Sequence, residues 1–466
     1  MARVHVESGD WRDVENTRQG IAMNLRYVLF LACTAATGGL LFGFDVAIIS
    51  GAGPFLARHF ELGDFGLGVA FSSLLFGCAL GAAVTGRMSD RYGRRYVLLW
   101  IAVLFALTSV ATALAWDFPS FLAARFIGGL AVGAVSLVSP MYIAEVAPAA
   151  VRGRLGALYQ MSIVTGILVS YCINYLLHDI GPDNWRWMFG TGVFPSVVFF
   201  ALLLRAPETP RFLFMAGRRD EARAVMSRIG DSPDEVSSAA AEVSTTTGRS
   251  WRDLFQPGVR RAVFVGFWLA ILIHFSGINT VIDYAPMIFQ SAGWDLDAAL
   301  LSTFVVGIAN FVFTLVSFWT IDRYGRRPLY IVGSLGMAVA LAALTISVLL
   351  GHFEGPLALV LILAYLAFFA SCIGPVFWTL VPEILPTHVR GTAMTVPVLT
   401  QWVANAVVVL LFPAALNQLG QAPTFAILAA FSLAQALFTW RFVPETRNRT
   451  LEEIEKHWLE PSRRSQ

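Results

Sequence analysis

Four ionisable side chains stand inside long apolar runs of the sequence: Asp45, Arg125, His274 and Asp283. Such groups are costly in hydrocarbon, so each is a candidate for binding or moving charge. Asp45 lies about 20 residues into its run, roughly 30 Å of helix, which leaves it about 8 Å from the far end. Arg125 stands about 9 Å into the fourth run from that same side. A carboxylate beside a guanidinium stays ionised, and weakening of the pair in a desolvated cleft lets it take a proton. Two readings follow: Asp45 carries a proton and Arg125 sets its affinity, or the two form a static buried pair that fixes geometry.

A second set of charges recurs along the chain. DRYGRR occupies 90–95 and again 322–327, 232 residues on. A Glu followed seven residues later by Arg-Gly occurs at Glu145/Arg152/Gly153 and, 238 residues on, at Glu383/Arg390/Gly391. Pro-Glu-Thr recurs at 207–209 and 444–446, an offset of 237. The first half thus contributes Asp90, Arg94, Arg95, Glu145, Arg152 and Glu208, and the second Asp322, Arg326, Arg327, Glu383, Arg390 and Glu445. Guanidinium forks grip carboxylates and helix C-terminal carbonyls. Clusters of this kind can lock one side of a carrier and release it when its halves rock apart. The plainer reading is a set of solvated anchors, each contributing little.

The elements that position these groups follow from composition. Of 466 residues, 56% are hydrophobic and only 14% charged, against about 25% charged in an ordinary soluble domain. A helix crossing a hydrocarbon layer of about 30 Å needs roughly 20 apolar residues. Twelve such runs are expected, at 25–50, 68–87, 96–115, 119–143, 154–177, 187–204, 261–290, 298–320, 328–350, 357–381, 392–416 and 422–441. The fold class is therefore an all-α membrane protein.

The three repeats fall after the second and eighth, fourth and tenth, and sixth and twelfth runs. That register predicts two like-oriented six-helix bundles related by an axis along the membrane normal. The expected organisation is an N-terminal segment 1–24, a bundle 25–205, a linker with short helices 206–260, a second bundle 261–443 and a tail 444–466. Within the linker, Asp220 to Arg228 has helical charge spacing and Ser237 to Ser250 is rich in Ser and Thr. Gly277 and Pro286 are expected to interrupt the seventh span, and Gly374, Pro375 and Pro382 the tenth. Breaks at membrane depth are tolerated where backbone lines a cavity.

Of the 33 Lys and Arg, Arg58 and Arg186 fall in loops of one face and Arg125 within a span, leaving 30 on the opposite face. Basic residues are retained on the cytoplasmic side, so both termini are expected there. Residues 1–24 have neither a short apolar core nor a small-residue cleavage site, and no removable signal peptide is expected. Cys33, Cys78, Cys172 and Cys372 all lie within runs, without metal-ligand spacing, and are read as small packing residues. No glycine-rich loop ends in Gly-Lys-Ser/Thr, so a nucleotide is not expected as the energy source.

Five further segments carry a resemblance: PMYIAEVAPAAVRG (140–153), PETPRFL (207–213), SGIN (276–279), GPVFW (374–378) and PETRNRTLEEI (444–454), with DRYGRR in both halves. Together they resemble the sugar porter family of the major facilitator superfamily over residues 25 to about 455. The resemblance implies twelve helices in two pseudo-two-fold related bundles, the major facilitator fold, with a sugar held between them. Carried over by motif, the polar contacts are Gln160, Asn279, Gln401 and Asn405, with Trp378 and Trp402 as flat apolar walls. Amides both donate to and accept from hydroxyls, and indoles pack on C–H faces. In proton-coupled members an acid occupies the place of Asp45, and passive members have Asn there.

Three departures bear on the solute. Asn448 replaces a usual Gly in the final motif. Ile273 and His274 stand where two glutamines are usual, and Asp283 where an aromatic is usual, four residues from Asn279 and on the same helical face. His274 and Asp283 therefore join the candidate contacts; an ordinary hexose is less secure as the solute, and a polyol, cyclitol, sugar acid or partly aromatic solute becomes credible. The plainer readings are a buried neutral imidazole and an Asp that only hydrogen-bonds across the outer gate.

The expectation from sequence is a monomeric secondary transporter of the cell (inner) membrane, coupling proton and polar-solute symport by alternating access. Its partners are a sugar-like small molecule, protons and the lipid bilayer; no nucleic acid, cofactor, metal or enzymatic activity is called for. The alternatives left open are a passive facilitator, an exporter of sugar-like or drug-like compounds, and a non-transporting solute sensor.

Overall fold

In the computed structural model of the chain, the described residues are 24–148, 151–230, 254–353, 355–386, 389–447, 453, 454 and 458. They form helices and the turns between them, with no strand among them. Of the expected gate residues, the side chains of Arg152, Asp322 and Arg390 lie outside the described set, as does the Ser/Thr-rich stretch 237–250.

Among the described residues, twelve helical segments are long and apolar enough to cross a membrane. In the first half these are α1 (Leu25–His59), α2 (Asp64–Tyr92), α3 (Arg94–Ala113), α4 (Phe118–Val146), α5 (Arg152–Leu177), and a sixth crossing made of α6 (Asn184–Gly190) and α7 (Val193–Arg205). Two short helices follow, α8 (Pro210–Met215) and α9 (Arg219–Ile229), where the linker was expected to be helical. The seventh crossing is α10 (Pro257–Phe275) followed by α11 (Ile278–Asp283) and α12 (Ala285–Ser291). Then come α13 (Leu296–Tyr324), α14 (Arg326–Leu349), a tenth crossing of α15 (Pro356–Cys372) and α16 (Gly374–Ile384), α17 (Arg390–Gln418) and α18 (Gln421–Phe442).

Local sequence explains several boundaries. Asp117 starts α4 with a capping box: its carboxylate accepts from Ser120 N at 2.8 Å, and Ser120 Oγ accepts from Asp117 N. Asp295 caps α13 in the same way, accepting from Ala298 N at 2.8 Å. Several helices overrun the apolar runs by a turn or more, α1 reaching His59 instead of residue 50.

The expected breaks are partly borne out. Gly277 has φ +90° and separates α10 from α11, a conformation that L side chains rarely adopt; a Cβ there would also meet Leu428 Cδ1 at 2.6 Å. Gly374 and Pro375 open α16 after a kink at Ile373. Pro382, in contrast, lies inside α16 and does not interrupt it. A break at Thr191 and Gly192 divides the sixth crossing and was not expected. The four cysteines are free; Cys78 and Cys372 are buried as packing residues, but Cys33 is exposed.

The two bundles meet most tightly at the end opposite the DRYGRR turns, called the outer end below. There Gly68 of α2 lies against the Leu410 backbone of α17, and Phe71 stacks on Tyr284 with centroids 4.3 Å apart. Ser50 Oγ and Tyr171 Oη both donate to the carbonyl of Ile282, at 3.2 and 2.8 Å. Asn417 donates to Asp64, and His178 Nε2 is 3.2 Å from Asp297. These contacts join one bundle to the other and close the outer end.

Candidate functional site

The eight expected solute contacts, Gln160, His274, Asn279, Asp283, Trp378, Gln401, Trp402 and Asn405, all line one cavity between the bundles. Their convergence depends on the broken helices. The break at Gly277 starts a new turn that carries Asn279 and Asp283 to the cavity, and the break at Ile373 does the same for Trp378. On the continuous α17, Gln401 and Asn405 are four residues apart and share a face. Phe42 of α1 approaches Trp402 of α17 with centroids 5.5 Å apart, so an aromatic wall spans both bundles.

Several of these polar atoms are buried without a hydrogen-bond partner: both ring nitrogens of His274, Trp402 Nε1, Asn405 Nδ2 and Asp283 Oδ1. Buried polar groups in native structures are nearly always satisfied. A solute bearing several hydroxyls can supply donors and acceptors together, which suits this mixed set.

Sequence reading missed Asn310 and Thr314 of α13, both buried polar residues on the cavity wall. Their signal was present as two polar residues at i and i+4 in an otherwise apolar run. Phe42, Phe369 and Phe377 also line the cavity and carried no such signal. Ile273, which replaces an expected amide, lines it as well.

Asp45 and Arg125 meet as expected. Arg125 Nη1 donates to Asp45 Oδ1 at 2.6 Å and Nη2 to the Asp45 carbonyl at 3.0 Å. Arg125 is only 2% exposed and Asp45 18%. The guanidinium also lies over the Phe189 ring, 5.1 Å from its centroid. The pair belongs to the N-terminal bundle and is not part of the cavity wall.

The charged clusters at the inner end pair corresponding residues in the two halves. Glu208 accepts from the backbone N–H of Arg94 and Arg95 at the start of α3, at 3.0 and 3.1 Å. Glu445 does the same for Arg326 and Arg327 at the start of α14, both at 3.2 Å. Arg94 pairs with Glu145 at 3.1 Å, and Arg326 with Glu383 at 3.5 Å. Thr209 donates to Glu145 and Thr446 to Glu383, each at 2.6 Å. Arg95 and Arg327 reach the last carbonyls of the neighbouring helices, at Leu203 and Trp440. Asp90 pairs with Arg94 at 3.0 Å from an exposed position.

A carboxylate from the Pro-Glu-Thr segment thus caps the helix that follows each DRYGRR turn. Burial pushes the Glu208 carboxyl up from its ordinary range, and the N–H groups of Thr209, Arg95 and Arg94 pull the other way. None of these inner-end contacts crosses between the bundles; each cluster ties its own bundle together.

Comparison with known proteins agrees with this geometry. The family profile described as "Sugar (and other) transporter" matches residues 31–458. The arabinose-proton symporter of Bacillus subtilis (strain 168) is 36% identical over 445 residues, covering 94% of this chain and 96% of the relative. The D-xylose-proton symporter of Escherichia coli (strain K12) is 36% identical over 487 residues, covering 95% and 98%. Among solved structures, the partially occluded inward-open conformation of the xylose transporter of E. coli superposes with a TM-score of 0.81 at 35% identity, covering 91% of this chain and all of that one.

Proposed function

Because the chain belongs to the sugar porter family of the major facilitator superfamily, we propose that it is a proton-coupled symporter of a sugar or sugar-like polar solute, working by alternating access. Support comes from the two similar proteins whose names are arabinose-proton and D-xylose-proton symporter. The observation that carries the reading is the convergence of amides and indoles on one cavity between two bundles that are closed at the outer end.

The solute enters from the outer side and binds between the bundles through Gln160, Asn279, Gln401 and Asn405. Trp378 and Trp402 pack on its C–H faces. His274 and Asp283 add a titratable imidazole and an acid to an otherwise neutral amide set, and they narrow the solute to one that uses those groups.

Asp45 is the coupling carboxylate. While ionised it holds Arg125 at 2.6 Å. Once protonated it no longer offsets the guanidinium charge, which then relies on the Asp45 carbonyl and the Phe189 ring. Proton binding therefore loosens α1 from α4 at the depth of the cavity, and rocking of the bundles delivers solute and proton to the inner side.

The bundles extend over residues 25–205 and 261–443, joined by the linker 206–260. The chain acts as a monomer in the cell (inner) membrane with both termini in the cytoplasm, where its basic residues gather. The inner-end clusters around Arg94, Glu145 and Glu208, and around Arg326, Glu383 and Glu445, act as the cytoplasmic gate by stiffening each bundle so that it moves as one body.

The test is uptake into proteoliposomes of labelled pentoses, hexoses, cyclitols, polyols and sugar acids, with and without an imposed pH gradient. At least one solute is expected to accumulate against its gradient only when the outside is acid. Uptake that ignores the pH gradient would reduce the protein to a facilitator.

A further inference from the structure

Beside its place among the solute contacts, Asp283 is a buried acid to which the symport cycle above assigns no proton. It is 3% exposed, lies in the short helix α11 at bilayer depth, and its Oδ1 has no hydrogen-bond partner. Among the described residues it forms no ion pair. The ionisable groups facing it from the elements packed around it are Tyr284 beside it, Tyr171 on α5, His274 on α10, Tyr365 on α15 and the Asp45–Arg125 pair behind α1. Arg125 is committed to Asp45 at 2.6 Å and pairs with no other carboxylate among the described residues. Tyr171 and Tyr365 spend their hydroxyls on the carbonyls of Ile282 and Ser276. Helix α12 and the outer half of α17 carry no titratable side chain.

The position of Asp283 ties its charge to the outer gate. The carbonyl of the preceding residue, Ile282, is the acceptor to which Ser50 and Tyr171 donate across the bundle interface. The following residue, Tyr284, stacks on Phe71 of α2. Closing the outer end therefore buries the Asp283 carboxyl on the cavity wall directly beneath the seam, cut off from the outer water, and opening it lets that water in. An ionised carboxylate buried without a cation loses far more solvation than a neutral carboxylic acid with one unmet hydrogen bond.

We propose that Asp283 is a second proton-binding site, which takes a proton from the outer water as the outer gate closes and returns it there when the gate opens. Closure converts the carboxylate to the carboxylic acid and opening reverses this, so each closure consumes one proton from outside. The proposal rests on the alternating-access reading and adds to it a gate proton distinct from the one on Asp45. Solute binding must work against this requirement at neutral pH, and external acid relieves it.

Linkage sets the size of the effect. If the hydrated side chain in the open state titrates near an ordinary Asp value of about 3.9, closure at pH 7 is disfavoured about a thousandfold relative to a side chain that never ionises. Above that range the ratio of closed to open falls tenfold per pH unit.

The experiment places spin labels at Phe65→Cys and Leu419→Cys, both exposed at the outer end, in a full-length chain whose four native cysteines are serine. Distance distributions are recorded in proteoliposomes from pH 5 to 8. The open population is expected to rise with pH. Asp283→Asn should shift it toward closed and lower the slope by one proton, Asp283→Glu should restore the slope, and Asp45→Asn should leave the Asp283 contribution in place. A slope unchanged by Asp283→Asn overturns the proposal, whereas a distance that never responds to pH or solute overturns alternating access itself. An Asp283→Asn variant that keeps the slope but loses binding of amine-bearing sugars makes the carboxylate a solute ligand, and the gate proton falls.

Discussion

Gly68→Ala is expected to trap the carrier with its outer end open. Gly68 lies where α2 crosses α17, and a methyl group added there points at the Leu410 backbone, with the carbonyl carbon 3.0 Å and the Cα 3.3 Å away and the carbonyl oxygen nearer still. Both sides of the contact are helix backbone, so no side chain can swing aside. Restoring ordinary contact requires the helices to part by about 1 Å, and forced overpacking of this kind typically costs about 1–3 kcal/mol. The cost falls only on the closed state, because α2 and α17 belong to different bundles and separate when the outer end opens. At about 1.4 kcal/mol per tenfold, a cost of 2 kcal/mol shifts the equilibrium toward open by roughly 30-fold.

The assay compares initial solute uptake into proteoliposomes with equilibrium solute binding from the outer side. Uptake should fall at least about tenfold while outer-side binding is retained or tightened. Gly86→Ala on the same helix serves as the control, since its added methyl meets only Leu137 Cδ2 at an ordinary 3.7 Å and should leave both quantities unchanged. If Gly68→Ala transports at the wild-type rate, the α2–α17 crossing is not part of the gate and the account of the closed outer end is wrong.

Asp45→Asn should abolish uphill accumulation while counterflow exchange survives; accumulation that persists removes Asp45 as the coupling group. His274→Gln restores an amide where imidazole now faces the cavity and should move preference toward plain sugars, read as a changed rank order in a competition panel; an unaltered order counts against contact with the solute. Glu208→Ala and Glu445→Ala each strip the carboxylate from a helix start, leaving two backbone N–H groups uncapped at a cost of about 1–2 kcal/mol. Their thermal midpoints in detergent should fall by similar amounts, and a difference between the two would deny the equivalence of the caps. Tyr171→Phe removes a hydrogen bond of about 1 kcal/mol from the outer seam, a roughly fivefold shift toward the open state that the same label distances would register or refute.

The twelve crossings were legible because hydrocarbon demands a length and polarity that sequence displays directly. The cavity was legible for a different reason: amides, indoles and lone charges are rare at membrane depth, so each stands out, and all eight expected contacts converge. Asn310 and Thr314 escaped because short polar side chains commonly satisfy themselves within their own helix, as Thr314's neighbour Ser317 does by donating to the Thr314 carbonyl. The break at Thr191 and Gly192 had a signal that was not read, Pro195, which has no N–H to bond the Thr191 carbonyl, and Pro382 carried a warning that the helix absorbed. Helix starts at the N-caps Asp117 and Asp295 fell within two residues of expectation, whereas the first helix runs on to His59 because nothing in Gly51–His59 breaks it once the hydrophobic run ends. The repeated charges predicted clusters, but duplication alone cannot say whether partners lie within a bundle or across two. That depends on the conformation, which no linear pattern encodes.

The division of contacts within the molecule argues for where motion occurs. At the inner end, Glu208, Glu145 and Thr209 fasten α3, α4 and the start of the linker into one unit, and Glu445, Glu383 and Thr446 repeat the arrangement in the other bundle. Charge-assisted hydrogen bonds to backbone N–H are among the stronger ones, so these units resist internal deformation. At the outer end the bundles share a few weaker links: a close helix crossing at Gly68, one carbonyl that takes two donors, one ring stack and two exposed polar pairs. Such a seam can part without disturbing either bundle, whereas separating the inner clusters would uncap α3 or α14. The chain therefore bends between its bundles and not within them. In the proposed cycle Asp45, which holds α1 to α4, and Asp283, on the cavity wall beneath the seam, are the acids at which one proton each alters that balance.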